Sequence, residues 1–258
     1  MNHENIMKLI YKYYIYIYIN MSEFNDLDFL VYSSHKTATQ TLLAIFNNNN
    51  YKATHCHSLD DLKHSLVNPP TENTFIQYLI SYKNIKNKKL KIITCIRNPI
   101  NRLLSSFFQS FSTDEIAINN ISEETTTIGI KNEDELCIMY EEMIKNSNLP
   151  RNIESLDELS IILDINILEK VENKQNYYYL DNNLFELYVL DFNCVIDTNV
   201  LNYLNKILML DLQTLSSNNL SENKHYYNKY QNIKKKIGGK LDTIIKNAYN
   251  SFYFTAFS

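Results

Sequence analysis

Continuous apolar runs alternate with segments whose apolar residues recur at helical spacing, and that alternation sets the first expectation for the fold. Phe29-Leu30-Val31-Tyr32 is a short run of β-formers, and Lys91 to Ile96 is a second, apolar throughout rather than every other residue, as strands buried on both faces tend to be. Leu184 to Asp191 reads as a late core strand, and Tyr51 to His57 as a shorter one that ends near His57. Helical spacing follows the first run at Leu42, Leu43, Ile45 and Phe46. It follows the second at Ile100, Leu103, Leu104, Phe107, Phe108 and Phe111, behind an Asn98-Pro99 start. Further helices are expected over Asp60 to Leu66, Thr71 to Tyr82, Asn132 to Asn146 and Asn199 to Leu210, and in the basic stretch Glu222 to Lys246 with a break at Gly238-Gly239. The run Asn84 to Lys91 reads as a basic turn, Ser112 to Lys131 as a polar surface loop, and Tyr249 to Phe257 as an aromatic tail. Leu156 to Glu172 mixes helix and turn signals and is left unplaced. Strands separated by helices predict an α/β fold with a central, mainly parallel sheet flanked by helices.

Composition narrows the classes. The 258 residues fit one domain, read here as residues 23–258, with 1–22 as an N-terminal extension. A hydrophobic content of 45% supports a sizeable core, and a net charge of −4 gives no reason to expect a nucleic-acid partner. Only three glycines and four prolines occur, so asparagine supplies many of the turns. The cysteines, Cys56, Cys95, Cys137 and Cys194, lie far apart without a C-x-x-C pair, which points to a reduced, cytoplasmic chain. The apolar stretch from Ile10 to Ile19 is interrupted by Lys12, and it falls short of the roughly 20 residues of a membrane helix, so no membrane association is expected.

The candidate chemistry lies in two strand–loop–helix units. After the first strand come Ser33, Ser34, His35, Lys36, Thr37, Ala38, Thr39, Gln40 and Thr41. A hydroxyl-rich loop with one lysine, opening onto a helix whose first N–H groups have no internal partners, is an anion site. Capping of that helix by its threonines is the alternative. The second unit puts Arg97 directly after a buried strand and Ser105 about two helical turns on. A guanidinium fork there can hold a phosphate through two hydrogen bonds.

Together the two units resemble the sulfotransferases that use 3′-phosphoadenosine 5′-phosphosulfate. That family has a first loop of the form (P/H)-K-(S/T)-G-(S/T)-(S/T) and a later R-(D/N)-P-x-x-R-x-x-S-x-(F/Y). The first appears here as His35-Lys36-Thr37-Ala38-Thr39-Gln40-Thr41, with Ala38 where the family has Gly and Gln40 where it has a hydroxyl residue. The second appears as Arg97-Asn98-Pro99-Ile100-Asn101-Arg102-Leu103-Leu104-Ser105-Ser106-Phe107 and fits at each fixed position. More narrowly, the chain resembles a bacterial group described as capsular polysaccharide synthesis proteins, marked by an N-K-W-Y-S-type segment. Ser221 to Tyr227 and Tyr249 to Phe257 are similar to its C-terminal part, and Ile96 to Phe111 to its central helix, with little likeness over 112–183.

The resemblance implies a P-loop-like three-layer fold and transfer of a sulfuryl group to a hydroxyl of a carbohydrate acceptor. The residues from His35 to Thr41 would hold the 5′-phosphosulfate, and Arg97 with Ser105 the 3′-phosphate. Lys36 would neutralise the leaving oxygen, and no metal is demanded because the chain supplies positive charge itself. For the base that takes the acceptor proton, His57 at the end of its strand is the first candidate and His55, of the same parity, the second. A metal cluster of His55, Cys56 and His57 is disfavoured because Cys56 faces the other side of a strand. Two other functions remain. A P-loop kinase would need glycines that do not occur before Gly129. A non-catalytic nucleotide- or glycan-binding protein would keep the fold with a weakened loop.

Overall fold

The computed structural model of the chain describes residues 26–58, 61, 72–146, 154–215 and 224–257. The N-terminal extension and the expected helix Asp60 to Leu66 therefore fall almost entirely outside the described residues. Six strands form one sheet: β1 (Phe29–Tyr32), β2 (Ala53–Cys56), β3 (Leu90–Ile96), β4 (Glu172–Asn173), β5 (Tyr177–Asp181) and β6 (Phe185–Asp191), in the order β2-β1-β3-β6-β5-β4. The pairs β1–β2, β1–β3 and β3–β6 are parallel, whereas β5 pairs antiparallel with both β6 and β4. The sheet is thus mixed and mostly parallel, as the strand–helix alternation predicts.

The period-two alternation of strand side chains divides the core. Leu30, Tyr32, Ile92, Leu187 and Val189 face α2 (Glu72–Lys86) and α5 (Ser155–Leu163). Phe29, Val31, Ile93, Cys95 and Leu190 face α1 (Thr39–Asn48) and α6 (Val200–Leu208). A third cluster packs α3 (Pro99–Gln109) with α4 (Glu133–Asn146), α7 (Tyr227–Ile237) and α8 (Asp242–Ala248) through Leu103, Phe107, Phe108, Tyr140, Ile233 and Ile245. Asn98 caps α3, its side chain accepting from Ile100 N at 3.0 Å, and Pro99 occupies the first helical position.

The order β2-β1-β3 means that the chain leaves β1 on one side to reach β2 and then crosses to the other side for β3. That reversal opens a crevice between the carboxyl ends of β1 and β3, where open α/β sheets receive ligands. Both chemistry-bearing loops begin there.

Two local expectations are corrected, and two stretches without an expectation are placed. Helix α2 continues to Lys86, so the basic turn shrinks to a left-handed Asn87 (φ 51°) and the residues just before β3. The unplaced stretch is α5, followed by the single turn Ile167–Lys170. Strand β5 was not foreseen, because its Tyr177-Tyr178-Tyr179 has no polar–apolar alternation to read. The expected surface loop Ser112 to Lys131 is instead a π-turn (Ser110–Asp114), a short helix (Glu115–Asn119) and two further single turns, with Ser112, Thr126 and Ile128 buried. Gly129 is obligatory there: a Cβ would lie 2.3 Å from the carbonyl oxygen of Glu123.

Candidate nucleotide site

The loop from Ser33 to Ala38 is held from below. Ser33 Oγ donates to the Cys95 carbonyl and accepts from Cys95 N, both at 3.0 Å, tying the loop to the end of β3. It also lies 2.7 Å from Thr37 Oγ1, which donates to the Ser34 carbonyl at 2.5 Å. The hydroxyl of Thr37 is therefore spent on the shape of the loop. Ser34 Oγ donates to Glu154 Oε2 at 2.7 Å and accepts from Ser155 N at 3.1 Å. Glu154 in turn accepts from Arg102 Nη2 at 2.6 Å in a pair that is almost fully buried. Arg102, a fixed position of the second motif, thus supports the first loop from beneath.

Lys36 and Ala38 both adopt left-handed backbone, with φ of 66° and 62°. This is backbone of the kind that turns successive N–H groups into one concavity. Ala38 is the N-cap of α1 and provides no side-chain cap, so the first-turn amides of α1 stay available. Thr39 is buried on that turn, Gln40 is exposed, and Thr41 is half-buried. The left-handed region costs an alanine roughly 1–2 kcal/mol, and glycine's greater freedom in the unfolded chain offsets about half of that. Ala38→Gly is therefore expected to stabilise the protein by about 0.5–1 kcal/mol, read as a raised denaturation midpoint at unchanged slope. A lowered midpoint would contradict the left-handed cap.

Arg97 reaches the same loop. Its Nη1 donates to the Lys36 carbonyl at 3.1 Å, and its guanidinium lies 4.4 Å from the ring centroid of Phe192, the residue after β6. The Tyr230 hydroxyl stands beside it. Lys36 is pulled down to about 8 by burial first and then by the charges of Lys224 and Arg97, with Asp114 acting in the opposite sense. Burial and Arg97 likewise lower Lys224. Three cations therefore share one half-buried hollow, and Asp114 is the carboxylate that Lys36 feels. None of the three makes an ion pair among the described residues. Ser105 sits half-buried on α3, two turns on from Arg97.

On the other side of Lys36, three imidazoles gather. The His35 ring lies 3.8 Å from that of His57, and His55 meets His57 edge-on at 5.1 Å. His57 Nδ1 is 2.8 Å from the Ser33 carbonyl, and its backbone N donates to Asp61 at 2.8 Å. A carbonyl only accepts, so Nδ1 carries the hydrogen and the lone pair of the neutral ring is on Nε2. His55 Nε2 faces the Gln40 amide nitrogen at 3.3 Å, so its lone pair is already engaged. Burial first and the charge of His57 second lower both His35 and His55. Cys56 points into the opposite core, as strand parity predicts. Among the described residues, no group of three or more His, Cys, Asp or Glu is arranged to hold a metal ion, and no helix is long and apolar enough to cross a membrane.

Lys36, Thr37, Ala38 and Arg97 come together as the sequence suggested, with His35 and His57 alongside. Glu154, Asp114, Phe192 and Tyr230 were missed. Phe192 alone had a signal, an aromatic directly after a core strand at the ligand edge of the sheet. No protein-family model, no curated protein and no solved structure matches this chain.

Proposed function

We propose that the protein is a sulfotransferase that moves the sulfuryl group of 3′-phosphoadenosine 5′-phosphosulfate to a hydroxyl of a carbohydrate, on a P-loop-like fold. The observation that carries the anion-binding part is the cluster of Lys36, Arg97 and Lys224 at the β1/β3 crevice, three mutually repelling cations with no ion-paired carboxylate among the described residues. Such a cluster is relieved by a polyanion. The two motifs around Lys36 and Arg97 supply the choice of sulfuryl donor.

In this reading the α1 amides and the Lys36 loop take the 5′-phosphosulfate, and Arg97 takes the 3′-phosphate. Sulfuryl transfer resembles phosphoryl transfer: the acceptor oxygen forms a bond to sulfur as the bond from sulfur to the bridging phosphate oxygen breaks. Lys36 stabilises the charge left on that oxygen. The bare Nε2 of His57 takes the acceptor proton. The products are the sulfate ester, 3′-phosphoadenosine 5′-phosphate and the proton on His57.

The test is calorimetric titration with 3′-phosphoadenosine 5′-phosphate, followed by sulfate transfer over a panel of glycans with Lys36→Ala as control. A bound anion raises the Lys36 pKa above its free value of about 8. The contribution of Lys36 is therefore fully present below pH 8 and is lost as pH rises from there toward the pKa of the complex. Affinity is expected to fall by up to about tenfold per pH unit across that window, and Lys36→Ala should flatten the decline. Flat affinity of the unaltered protein from pH 7 to 10 would remove Lys36 from the site.

A further inference from the structure

Ser112 lies fully buried inside the π-turn that follows α3, and its Oγ is 2.6 Å from His225 Nε2. The other ring nitrogen, Nδ1, is 3.4 Å from Glu123 Oε1. A hydroxyl, an imidazole and a carboxylate in line are the parts of a hydrolase triad. Burial of Ser112 removes that use, since no substrate carbonyl reaches a hydroxyl closed off from solvent. What remains is a pin. The Glu123 contact is an ion pair when the ring is protonated. Ser112 Oγ can donate or accept, so it bonds Nε2 in either neutral tautomer and accepts from it in the imidazolium. The pin holds in either state.

The backbone explains why Ser112 is available. Phe111 leaves helical geometry (φ −90°, ψ 15°), and the widened turn places Ser112 toward the segment that opens α7. The same turn ends on Asp114, which Gln109 Nε2 holds at 3.3 Å and which acts on Lys36. His225 is joined on one side to Lys224, whose Nζ lies 5.8 Å from the Tyr226 ring centroid. Tyr226 packs on Phe108 at 5.4 Å, and Tyr230, which stands beside Arg97, packs on the same ring at 5.5 Å. One turn of backbone thus fixes both the carboxylate and, through His225, the segment bearing the third cation.

We propose that His225, pinned between Ser112 and Glu123, is a positioning residue that holds Lys224 in the hollow as a third arm for the phosphate groups of a nucleotide. The nucleotide rests on the function proposed above; the placement of Lys224 does not.

Two measurements separate them. The Lys36 amine is titrated by NMR with carbon-labelled lysine, and 3′-phosphoadenosine 5′-phosphate binding is read by calorimetry, for the unaltered protein, Lys224→Met, His225→Ala, His225→Gln and Ser112→Ala. Lys224→Met should raise the Lys36 pKa toward the ordinary value of about 10.4 and weaken nucleotide binding about tenfold. His225→Ala should move both in the same direction. Ser112→Ala should do so less, and His225→Gln, which can still bond Ser112, should restore both. If His225→Ala fails to fold, the Ser112→Ala and His225→Gln pair decides. An unmoved Lys36 titration in Lys224→Met would overturn the proposal, as would a His225→Ala protein that behaves as unaltered while Lys224→Met does not. If the unaltered protein binds no nucleotide and His225→Ala still shifts Lys36, the nucleotide reading fails and the positioning role stands.

Discussion

Arg97→Ala should weaken binding of 3′-phosphoadenosine 5′-phosphate by about a hundredfold or more, since two charge-assisted hydrogen bonds to a phosphate together contribute about 3 kcal/mol. The fork of Arg97 is already oriented in the free protein. One nitrogen is fixed on the Lys36 carbonyl and the plane rests against Phe192, so little side-chain freedom is lost on binding. Arg97→Lys keeps the charge and loses the fork, and should recover only part of the affinity. Stability is expected to behave differently. Removing Arg97 costs one hydrogen bond to a backbone carbonyl and a stacking contact, each about 1 kcal/mol. It also relieves repulsion with Lys36 and Lys224, whose pKa values should rise. A large affinity loss with a denaturation midpoint close to that of the unaltered protein marks Arg97 as a ligand-holding group. The opposite pattern, a collapsed midpoint with affinity intact in the folded fraction, would make it a clamp for the loop and nothing more.

The elements around the crevice could be read from the chain because each is signalled locally. β1 and β3 are unbroken apolar runs, α3 starts at Asn98-Pro99, and Lys36 and Arg97 stand at fixed offsets from those strands. Their meeting across 61 residues of sequence is a consequence of β1 lying next to β3, which no local pattern encodes. The segment 112–131 was misread for a physical reason: its order comes from side chains bonding main chain, not from apolar periodicity. Thr126 Oγ1 accepts from Gly129 N, and Glu115 takes both the amide and the hydroxyl of Thr127. Lys229, on α7, donates to the carbonyls of Ile128, Gly129 and Lys131. A polar composition therefore hid a rigid segment, and with it the Ser112 that meets His225. Glu154 was invisible in the same way, because a single acidic residue between two helices has no pattern until Arg102 and Ser34 are seen to converge on it.

Glu154→Ala is expected to destabilise the protein by about 3–5 kcal/mol, the cost of leaving one member of a buried ion pair without its partner. The arrangement argues for the upper part of that range. Arg102 is buried, its Nε has no hydrogen-bond partner among the described residues, and Nη2 also donates to the Tyr249 hydroxyl at 3.3 Å. Among the described residues Glu154 is the acid that pairs with its charge. Ser34 Oγ loses its acceptor at the same time, so the loop that carries Lys36 loosens along with the core. Set against a typical total of about 5–15 kcal/mol, the loss is a large share of the stability. Thermal unfolding should therefore move down by roughly 10 °C or more. The double variant Glu154→Ala/Arg102→Met removes the stranded charge and should recover most of the loss, because a buried pair replaced by apolar side chains is often close to neutral. Nucleotide affinity in that double variant distinguishes the two roles of the network. A stable protein that still binds weakly shows that Ser34 needs its acid to hold the loop in place. Normal affinity shows that the pair serves the core alone. A Glu154→Ala cost below about 1 kcal/mol would instead mean that the pair is open to water, and the link from Arg102 to the Lys36 loop would have to be abandoned.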